Sequence, residues 1–281
     1  MSKIIVVANQ KGGVAKTSTV RNLSYSLAEL GKKVLTVDLD PQSNLTIGFG
    51  IIPKKAKHTT GTLITRMLTE EELPEKSEYI QTVGKVDILP ASRALTVAEV
   101  NMLITPGSNK YLSKLLEPLR DDYDYILIDT NPSLGALTIN ALTACDEVLI
   151  PIDPELFAIT GLNDLMDSIG KVKANLNPAI EIGGILFVKC ITRTNLYKMA
   201  RQNITDYFPT VPIFNSVIPL TVKVGEANNA SMAVAEFENA HLVWLDEKRA
   251  PLVIVKTKSI EKFLELRVLD MSRTNARILI K

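Results

Sequence analysis

The stretch ANQKGGVAKTST, residues 8–19, decides the fold because it joins most parts of a phosphate-binding loop to the start of a helix. The usual pattern, G-x-x-x-x-G-K-[ST], requires glycine six residues and one residue before its lysine. Those two positions hold Gln10 and Ala15, whereas Lys16 and Thr17 fit the pattern. The loop also contains two glycines and one additional lysine, namely Gly12, Gly13 and Lys11. The stretch is either a variant of that loop or a glycine-rich turn that only joins a strand to a helix.

Apolar strand-like runs alternate with helical patterns after this loop. The predicted strands cover residues 3–8, 33–38, 86–91, 123–129, 147–152, 182–188 and 211–219. The predicted helices cover residues 16–30, 94–103, 109–120, 134–143, 155–175 and 195–207. Continuous apolar strands between helices are typical of a parallel sheet that is covered on both faces. We therefore predict an α/β fold with a doubly wound, mainly parallel sheet and helices on both faces.

Two regions do not follow this alternation. Residues 50–60 (GIIPKKAKHTT) favour an exposed basic loop, and the pattern becomes irregular beyond about Phe237. We predict one domain over residues 1–236 and an atypical C-terminal segment over residues 237–281, packed on the same domain. Because the first predicted strand begins at residue 3, we expect no separate DNA-reading domain before it.

The composition describes a soluble globular protein, with 46% hydrophobic and 22% charged residues. The net charge of +1 excludes a polycation, although residues 189–281 carry 14 Lys and Arg against 9 Asp and Glu. Cys145 and Cys190 have no metal-ligand spacing, and buried free thiols suit a reducing cytosol. No apolar stretch reaches membrane-spanning length, so we expect a cytoplasmic protein without a membrane partner.

Polar residues follow several of the predicted strands. In a parallel α/β sheet, ligands bind at the carboxyl ends of the strands, where the loop at residues 8–15, Asp38–Pro41, Asp129 and Pro219 are all expected. Backbone N–H groups and Lys16 can hold phosphate oxygens, and the Thr17 hydroxyl can bind Mg²⁺. Asp129 is suited to the magnesium shell, with helix capping as its alternative role. Together these features predict a nucleotide site.

Three segments carry a resemblance to a known family. They are KGGVAKTS (11–18), VDLDPQSNLT (37–46) and ILIDTNPSL (126–134). They resemble the three motifs of the deviant Walker ATPases, the group that includes ParA and MinD, and the additional lysine is the mark of that group. The DPQ-x-N continuation resembles the ParA/Soj partition branch more than MinD. The resemblance extends over roughly residues 1–236.

The resemblance implies ATP or ADP with Mg²⁺ as cofactors and a role for each motif residue. Lys11 would reach across a homodimer to the phosphates of the partner subunit. Asp40 would orient the attacking water, and Asp38 would help to arrange the metal shell and Lys11. Thr17 and Asp129 would serve the metal. The implied nucleotide-binding residues are Lys11, Gly12, Gly13, Val14, Ala15, Lys16, Thr17, Ser18 and Pro219.

This sequence departs from the family pattern at three positions. Ala15 stands where glycine is usual, and if the backbone there needs a positive φ, its Cβ costs about 1 kcal/mol. Asn131 replaces a proline. Leu220 replaces an arginine on the family's DNA-binding side, where Lys223 can compensate. The candidate DNA contacts are Arg193, Lys198, Arg201 and Lys223, for which an ordinary solvated helix face is the alternative.

The favoured function is an ATP-driven partition switch. ATP would close a homodimer that binds DNA without sequence preference, and a ParB-like adaptor would stimulate a weak intrinsic ATPase activity. Such a protein is cytoplasmic and associated with the nucleoid.

Three other functions stay open at this stage. A MinD-like positioning ATPase needs an amphipathic helix, for which residues 259–272 are the candidate, although core packing suits that segment better. An electron-transfer ATPase of the nitrogenase iron-protein kind needs cluster-binding cysteines in loops, which Cys145 and Cys190 do not fit. The third alternative is a non-enzymatic regulator that retains the fold of these ATPases but not their activity.

Overall fold

The centre of the protein is one eight-stranded sheet. The computed structural model describes residues 1–155, 158–238, 240–243 and 253–256. The strands of this sheet are β1 (Lys3–Val7), β2 (Val34–Leu39), β3 (Gln81–Val83), β4 (Val86–Leu89), β5 (Tyr125–Thr130), β6 (Glu147–Ile152), β7 (Glu181–Cys190) and β8 (Ile213–Pro219). Their order is β3-β4-β2-β5-β1-β6-β7-β8, and neighbours pair in parallel except β3 with β4. The predicted mainly parallel sheet is confirmed.

Helices cover both faces of the sheet. They are α1 (Lys16–Glu29), α2 (Asn44–Gly48), α3 (Thr60–Leu68), α4 (Lys76–Tyr79), α5 (Ala94–Ile104), α6 (Tyr111–Leu116), α7 (Ala136–Ala144), α8 (Ala158–Asn175), α9 (Asn195–Tyr207), α10 (Lys223–Asn229) and α11 (Val234–Glu238). The side chains of β1 show that both faces are covered, because successive side chains of a strand point to opposite faces of the sheet. Ile4 and Val6 pack with α3 and α5–α9, whereas Ile5 and Val7 pack with α1 and α2. The doubly wound architecture is therefore confirmed.

The register of the central strands determines where the polar motifs meet. Asp129 in β5 pairs with Val7 of β1 on one side and with Asp38 of β2 on the other. The phosphate-loop candidate therefore begins beside two carboxylates. The loop after β1, the end of β2 with Asp38 and the end of β5 with Asp129 therefore all lie at the carboxyl edge of the sheet.

Several short elements were missing from the sequence prediction. They are β3, α2, α3, α4, α10 and α11. The predicted basic loop at residues 50–60 is only partly correct. Lys54 and Lys55 are exposed on a 3₁₀ turn, but Thr59 and Thr60 are buried. The reason is that Thr59 caps α3, where its hydroxyl accepts a hydrogen bond from the Thr62 N–H.

The C-terminal segment is described only in part. Strands β9 (Ala240–Val243) and β10 (Val253–Lys256) form an antiparallel pair, and β9 lies beside α1 and α11. The predicted amphipathic stretch at residues 259–272 lies outside the described residues, so the domain boundary at residue 236 stays a prediction. Within the described ranges, no helix is both long and apolar enough to cross a membrane.

Both cysteines are buried free thiols, as predicted. Cys145 follows α7 and Cys190 ends β7. Burial raises the pKa of both thiols, that of Cys190 to about 11, because it disfavours the thiolate. Both side chains therefore behave as small apolar groups of the core.

Candidate functional site

The loop between β1 and α1 turns through two residues with positive φ. Gly13 has φ +75° and Ala15 has φ +58° with ψ +28°. The left-handed conformation is open to glycine but strained for a residue with a Cβ. The conditional prediction for Ala15 is thus met: the backbone needs a positive φ, and alanine adopts it at a cost of about 1 kcal/mol.

Lys16 points into the centre of this loop. Its side chain is buried, and Nζ donates hydrogen bonds to the carbonyl oxygens of Asn9 at 2.9 Å and Lys11 at 3.2 Å. Burial lowers the pKa of Lys16, while the negative charges of Asp129 and Asp40 partly oppose that shift. The ammonium group therefore lies where a phosphate held by the loop would meet it.

Thr17 and Asp129 join the loop to β5. The Thr17 hydroxyl donates to Asp129 Oδ2 at 2.6 Å. The carboxylate is fully buried, and its Oδ1 has no hydrogen-bond partner among the described residues. Burial and the neighbouring Asp38 raise the pKa of Asp129. A buried carboxylate oxygen without a donor, next to a hydroxyl, fits a hard divalent cation, because oxygen ligands are what Mg²⁺ prefers.

Asp38 directs its carboxylate into the loop that follows β2. Oδ2 accepts hydrogen bonds from the Thr46 N–H at 2.8 Å and the Thr46 hydroxyl at 2.6 Å. Oδ1 accepts from the Asp40 N–H at 3.1 Å. Burial raises the pKa of Asp38 to about 6. The contacts of this side chain are therefore with its own loop, whereas the family resemblance implied a part in arranging the metal shell and Lys11.

Asp40 lies at the same edge and is nearly buried. Its Oδ1 accepts a hydrogen bond from the Gln42 N–H at 2.8 Å. Its charge acts on both Lys16 and Asp129, which brings it into the electrostatic surroundings of the loop. The water-orienting role of Asp40 stays a prediction.

Lys11 is held by two acidic residues that the sequence analysis missed. Its Nζ lies 2.8 Å from Asp153 Oδ1, 3.1 Å from Asp153 Oδ2 and 2.5 Å from Glu155 Oε2. Burial opposes the charged form of Lys11, but the hydrogen bonds to both acids outweigh it and raise its pKa. The signal was available: both acids directly follow β6, at the carboxyl edge where ligand-binding residues collect.

The other predicted nucleotide residues are spread more widely. The side chain of Val14, within the loop, is buried. Ser18 Oγ lies 3.5 Å from the Asn228 side-chain amide nitrogen of α10. Gly12 is exposed. Pro219 is exposed at the end of β8, which the sheet order separates from β1 by β6 and β7. Their roles in nucleotide binding stay predictions.

The four predicted DNA contacts lie in or next to α9 and α10 but differ in their surroundings. Arg193 and Lys198 are exposed. Arg201 donates to the Phe214 carbonyl oxygen at 3.1 Å. Lys223 forms an ion pair with Glu226 at 3.0 Å. Two of the four cations therefore make contacts within the chain, and two are directed towards solvent.

Comparison with known proteins agrees with this geometry. A protein-family model described as an AAA domain matches residues 2–182. The chain is 38% identical to the chromosome-partitioning ATPase Soj of Treponema pallidum, over 85% of this chain and 91% of that protein. It is also 38% identical to the chromosome partitioning protein ParA of Myxococcus xanthus, over 80% of this chain and 78% of that protein.

A solved structure extends the likeness to the fold. Cobyrinic acid a,c-diamide synthase from Mycobacterium smegmatis, with bound ATP analog and magnesium, has a TM-score of 0.75 at 31% identity. The match covers 90% of this chain and 100% of that chain. The family model and the two partition proteins each extend over more than half of the chain. The chain therefore belongs to the AAA-domain family and, within it, to the deviant Walker ATPases of the ParA/Soj type.

Proposed function

We propose that the protein is an ATP-dependent partition ATPase that binds Mg²⁺ and ATP at the carboxyl edge of its sheet. The observation that carries the proposal is the unpaired, buried Asp129 Oδ1 beside Thr17 and Lys16. An uncompensated buried carboxylate oxygen is costly unless a cation or donor meets it. Related proteins named as partitioning proteins, and a neighbour solved with an ATP analog and magnesium, support the same ligands.

Each loop residue has a defined part in holding the nucleotide. The N–H groups of the loop at residues 11–18 surround the phosphates, and Lys16 neutralises the β- and γ-phosphate oxygens. To do so, the lysine exchanges its hydrogen bonds to two carbonyl oxygens for bonds to phosphate. Thr17 and Asp129 would hold Mg²⁺, which would supply charge neutralisation at the phosphates.

The chemical step depends on orientation more than on covalent participation of the protein. Asp40 orients the attacking water with its carboxylate, whose position is set by the Gln42 N–H. Asp38 holds the backbone of the same loop through its bond to the Asp40 N–H. The intrinsic rate is low because a second cation is needed at the transferring phosphoryl group, as in NTPases that take an arginine from a partner.

Lys11 supplies that cation in a homodimer. In the single chain its ammonium group is bound to Asp153 and Glu155. Dimer formation with ATP must exchange these carboxylates for phosphate oxygens on the partner subunit. Because Glu155 is 60% exposed, its contact with Lys11 is screened by solvent and contributes little to holding the lysine.

The dimer binds DNA without sequence preference, and a ParB-like adaptor stimulates hydrolysis and release. Arg193 and Lys198 support this step, because exposed cations near the ends of β7 and β8 can bind phosphates. Cycling of this kind occurs at the nucleoid in the cytoplasm.

The test is phosphate release from Mg²⁺-ATP by the protein alone, with random duplex DNA, and with DNA plus the ParB-like protein of the same cell. We expect slow turnover alone and the highest rate with both additions. Asp40→Ala serves as the inactive control. Absence of turnover under all three conditions would favour a regulator that keeps only the fold.

A further inference from the structure

The Thr46 side chain joins three parts of the site that the sequence separates. It is fully buried in α2, and its hydroxyl donates to Asp38 Oδ2 at 2.6 Å. The same hydroxyl accepts a hydrogen bond from the Ala91 N–H at 2.8 Å. A hydroxyl has a single proton to donate, so these two contacts assign its direction. Thr46 therefore links the end of β2 to the segment that follows β4.

Asp38 extends this link to the loop that carries Asp40. Its two carboxylate oxygens accept three hydrogen bonds, from the Thr46 hydroxyl and from the N–H groups of Thr46 and Asp40. The backbone carbonyl oxygen of Asp38 accepts a fourth bond, from the Thr60 hydroxyl at 2.9 Å. Both ends of the segment from residue 40 to residue 46 are thus attached to one buried carboxylate.

Asp40 takes its position from this network. Its N–H donates to Asp38, and among the described residues its carboxylate accepts a hydrogen bond only from the Gln42 N–H, inside the same loop. A shift of the loop therefore moves the carboxylate with it. Misplacement of a reacting group by about 1 Å can cost roughly 100-fold in rate.

We infer that Thr46 is a positioning residue for ATP hydrolysis, which acts by holding the loop of Asp40 through Asp38 and the Ala91 N–H. The inference rests on the proposed water-orienting role of Asp40. Thr46 itself does not touch the substrate. Its hydroxyl is the required feature, because valine has the same shape but neither donates nor accepts a hydrogen bond.

The experiment compares Thr46→Val with Thr36→Val. Thr36 is also fully buried, and its hydroxyl donates to the Asp87 carbonyl oxygen at 3.2 Å, away from the loop. We expect Thr46→Val to lower kcat roughly 10- to 100-fold while ADP affinity changes less than about threefold. Thr36→Val should leave kcat within about twofold, and Thr46→Ser should restore most of the activity.

Amide hydrogen exchange of the nucleotide-free protein separates this inference from the proposed function. Loss of the hydroxyl should accelerate exchange at least about tenfold in two peptides together, one over residues 40–48 and one over residues 88–93. Thr36→Val should accelerate neither. Unchanged exchange in both peptides, or a kcat equal to that of Thr36→Val, would overturn the positioning role.

The remaining outcomes are also decisive. If the wild-type protein hydrolyses no ATP, the proposed function fails, whereas the exchange measurement still decides whether Thr46 holds the loop. If Thr46→Val does not fold, Thr46→Cys and Thr46→Ser replace it, since they have similar size and differ in donor strength. A lower kcat and faster exchange in Thr46→Cys than in Thr46→Ser would support the inference, and equal values in the two variants would contradict it.

Discussion

The carboxyl edge of the sheet has two parts that hold their charges in opposite ways. Beside β1, β2 and β5 the charged groups are buried, with Asp38 and Asp129 at 0% exposure and Lys16 at 7%. Beside β7 and β8 the cations Arg193 and Lys198 are exposed to solvent. In the first part the charged groups have fixed polar partners, apart from the unpaired Asp129 Oδ1, whereas in the second part the charged groups are surrounded mainly by water.

This difference predicts how each part responds to substitution. Removing one member of a buried charge network leaves its partner uncompensated, and the cost is large. Removing an exposed cation costs little, because solvent and salt already screen it. We therefore expect large, separable effects from substitutions beside β1, β2 and β5, which we call the nucleotide side. Substitutions beside β7 and β8, the far side, should have small, additive effects.

The largest effect is expected for substitution of Lys11, which lies at the start of the phosphate loop and has a partly exposed side chain. Lys11→Ala should leave ADP affinity within about threefold, abolish ATP-dependent dimers and lower stimulated turnover roughly 1000-fold, as for loss of a trans-acting cation. Light scattering and phosphate release measure the two effects. Glu155→Gln, which removes only the exposed partner of Lys11, should still dimerise. Dimers of Lys11→Ala with ATP would refute the trans-acting role.

Next in size is the effect of Lys16→Ala. The variant loses the only buried ammonium group that the described part of the loop directs at the phosphates, so ADP affinity should fall roughly 100-fold. Isothermal titration calorimetry measures this loss. Lys32→Ala, at an exposed lysine just beyond α1, is the matched control and should bind normally. Near-normal affinity in Lys16→Ala would mean that the loop is not a phosphate site.

A smaller effect is expected for the exposed pair Arg193→Ala and Lys198→Ala. Each lost phosphate contact should reduce the slope of log affinity against log salt by about 0.9 for duplex DNA. Filter binding over a salt series, with ATP present, gives the slope. Lys171→Ala, an exposed lysine in α8, provides the control. An unchanged slope in the double variant would place the DNA surface elsewhere.

The smallest effect is expected at Ala15. Ala15→Gly removes the strained Cβ from a residue at φ +58°, and the free energy of unfolding should rise by about 1 kcal/mol or less, because glycine also loses more entropy on folding. Chemical denaturation measures the change. Nucleotide affinity should rise or stay constant. A destabilised Ala15→Gly would show that the left-handed conformation carries no strain here.

The sequence predicted the buried part of the edge far better than the exposed part. A phosphate loop needs particular residues at fixed spacings, so Lys16, Thr17 and Asp129 could be located before the fold was known. The position of Asp153 and Glu155 after β6 was also a signal in the sequence, but their contacts with Lys11 were not, because they join residues 142 and 144 positions apart in the chain. The short helices α2 and α10 were missed because they span too few turns for a periodic pattern.

The sequence also could not predict the direction in which individual side chains point. The motif VDLDPQSNLT contains Asp38, Asp40 and Thr46, but spacing alone does not tell which carboxylate faces the loop and which faces the ligand. The hydrogen bonds from Thr46 and from the Asp40 N–H show that the Asp38 carboxylate faces its own loop. On the far side, an exposed cation looks the same in sequence whether it meets DNA or water.

The most direct test of ATP hydrolysis at this site is to measure single-turnover hydrolysis and nucleotide affinity on one sample of Asp40→Ala. Asp40→Ala should keep ATP affinity within about threefold of wild type and lower hydrolysis by about 10- to 1000-fold, since the variant loses the orienting group but keeps Lys16, Thr17 and Asp129. Asp40→Asn keeps an acceptor for the Gln42 N–H and should behave likewise. Unchanged hydrolysis, or joint loss of binding and hydrolysis, would contradict the water-orienting role of Asp40.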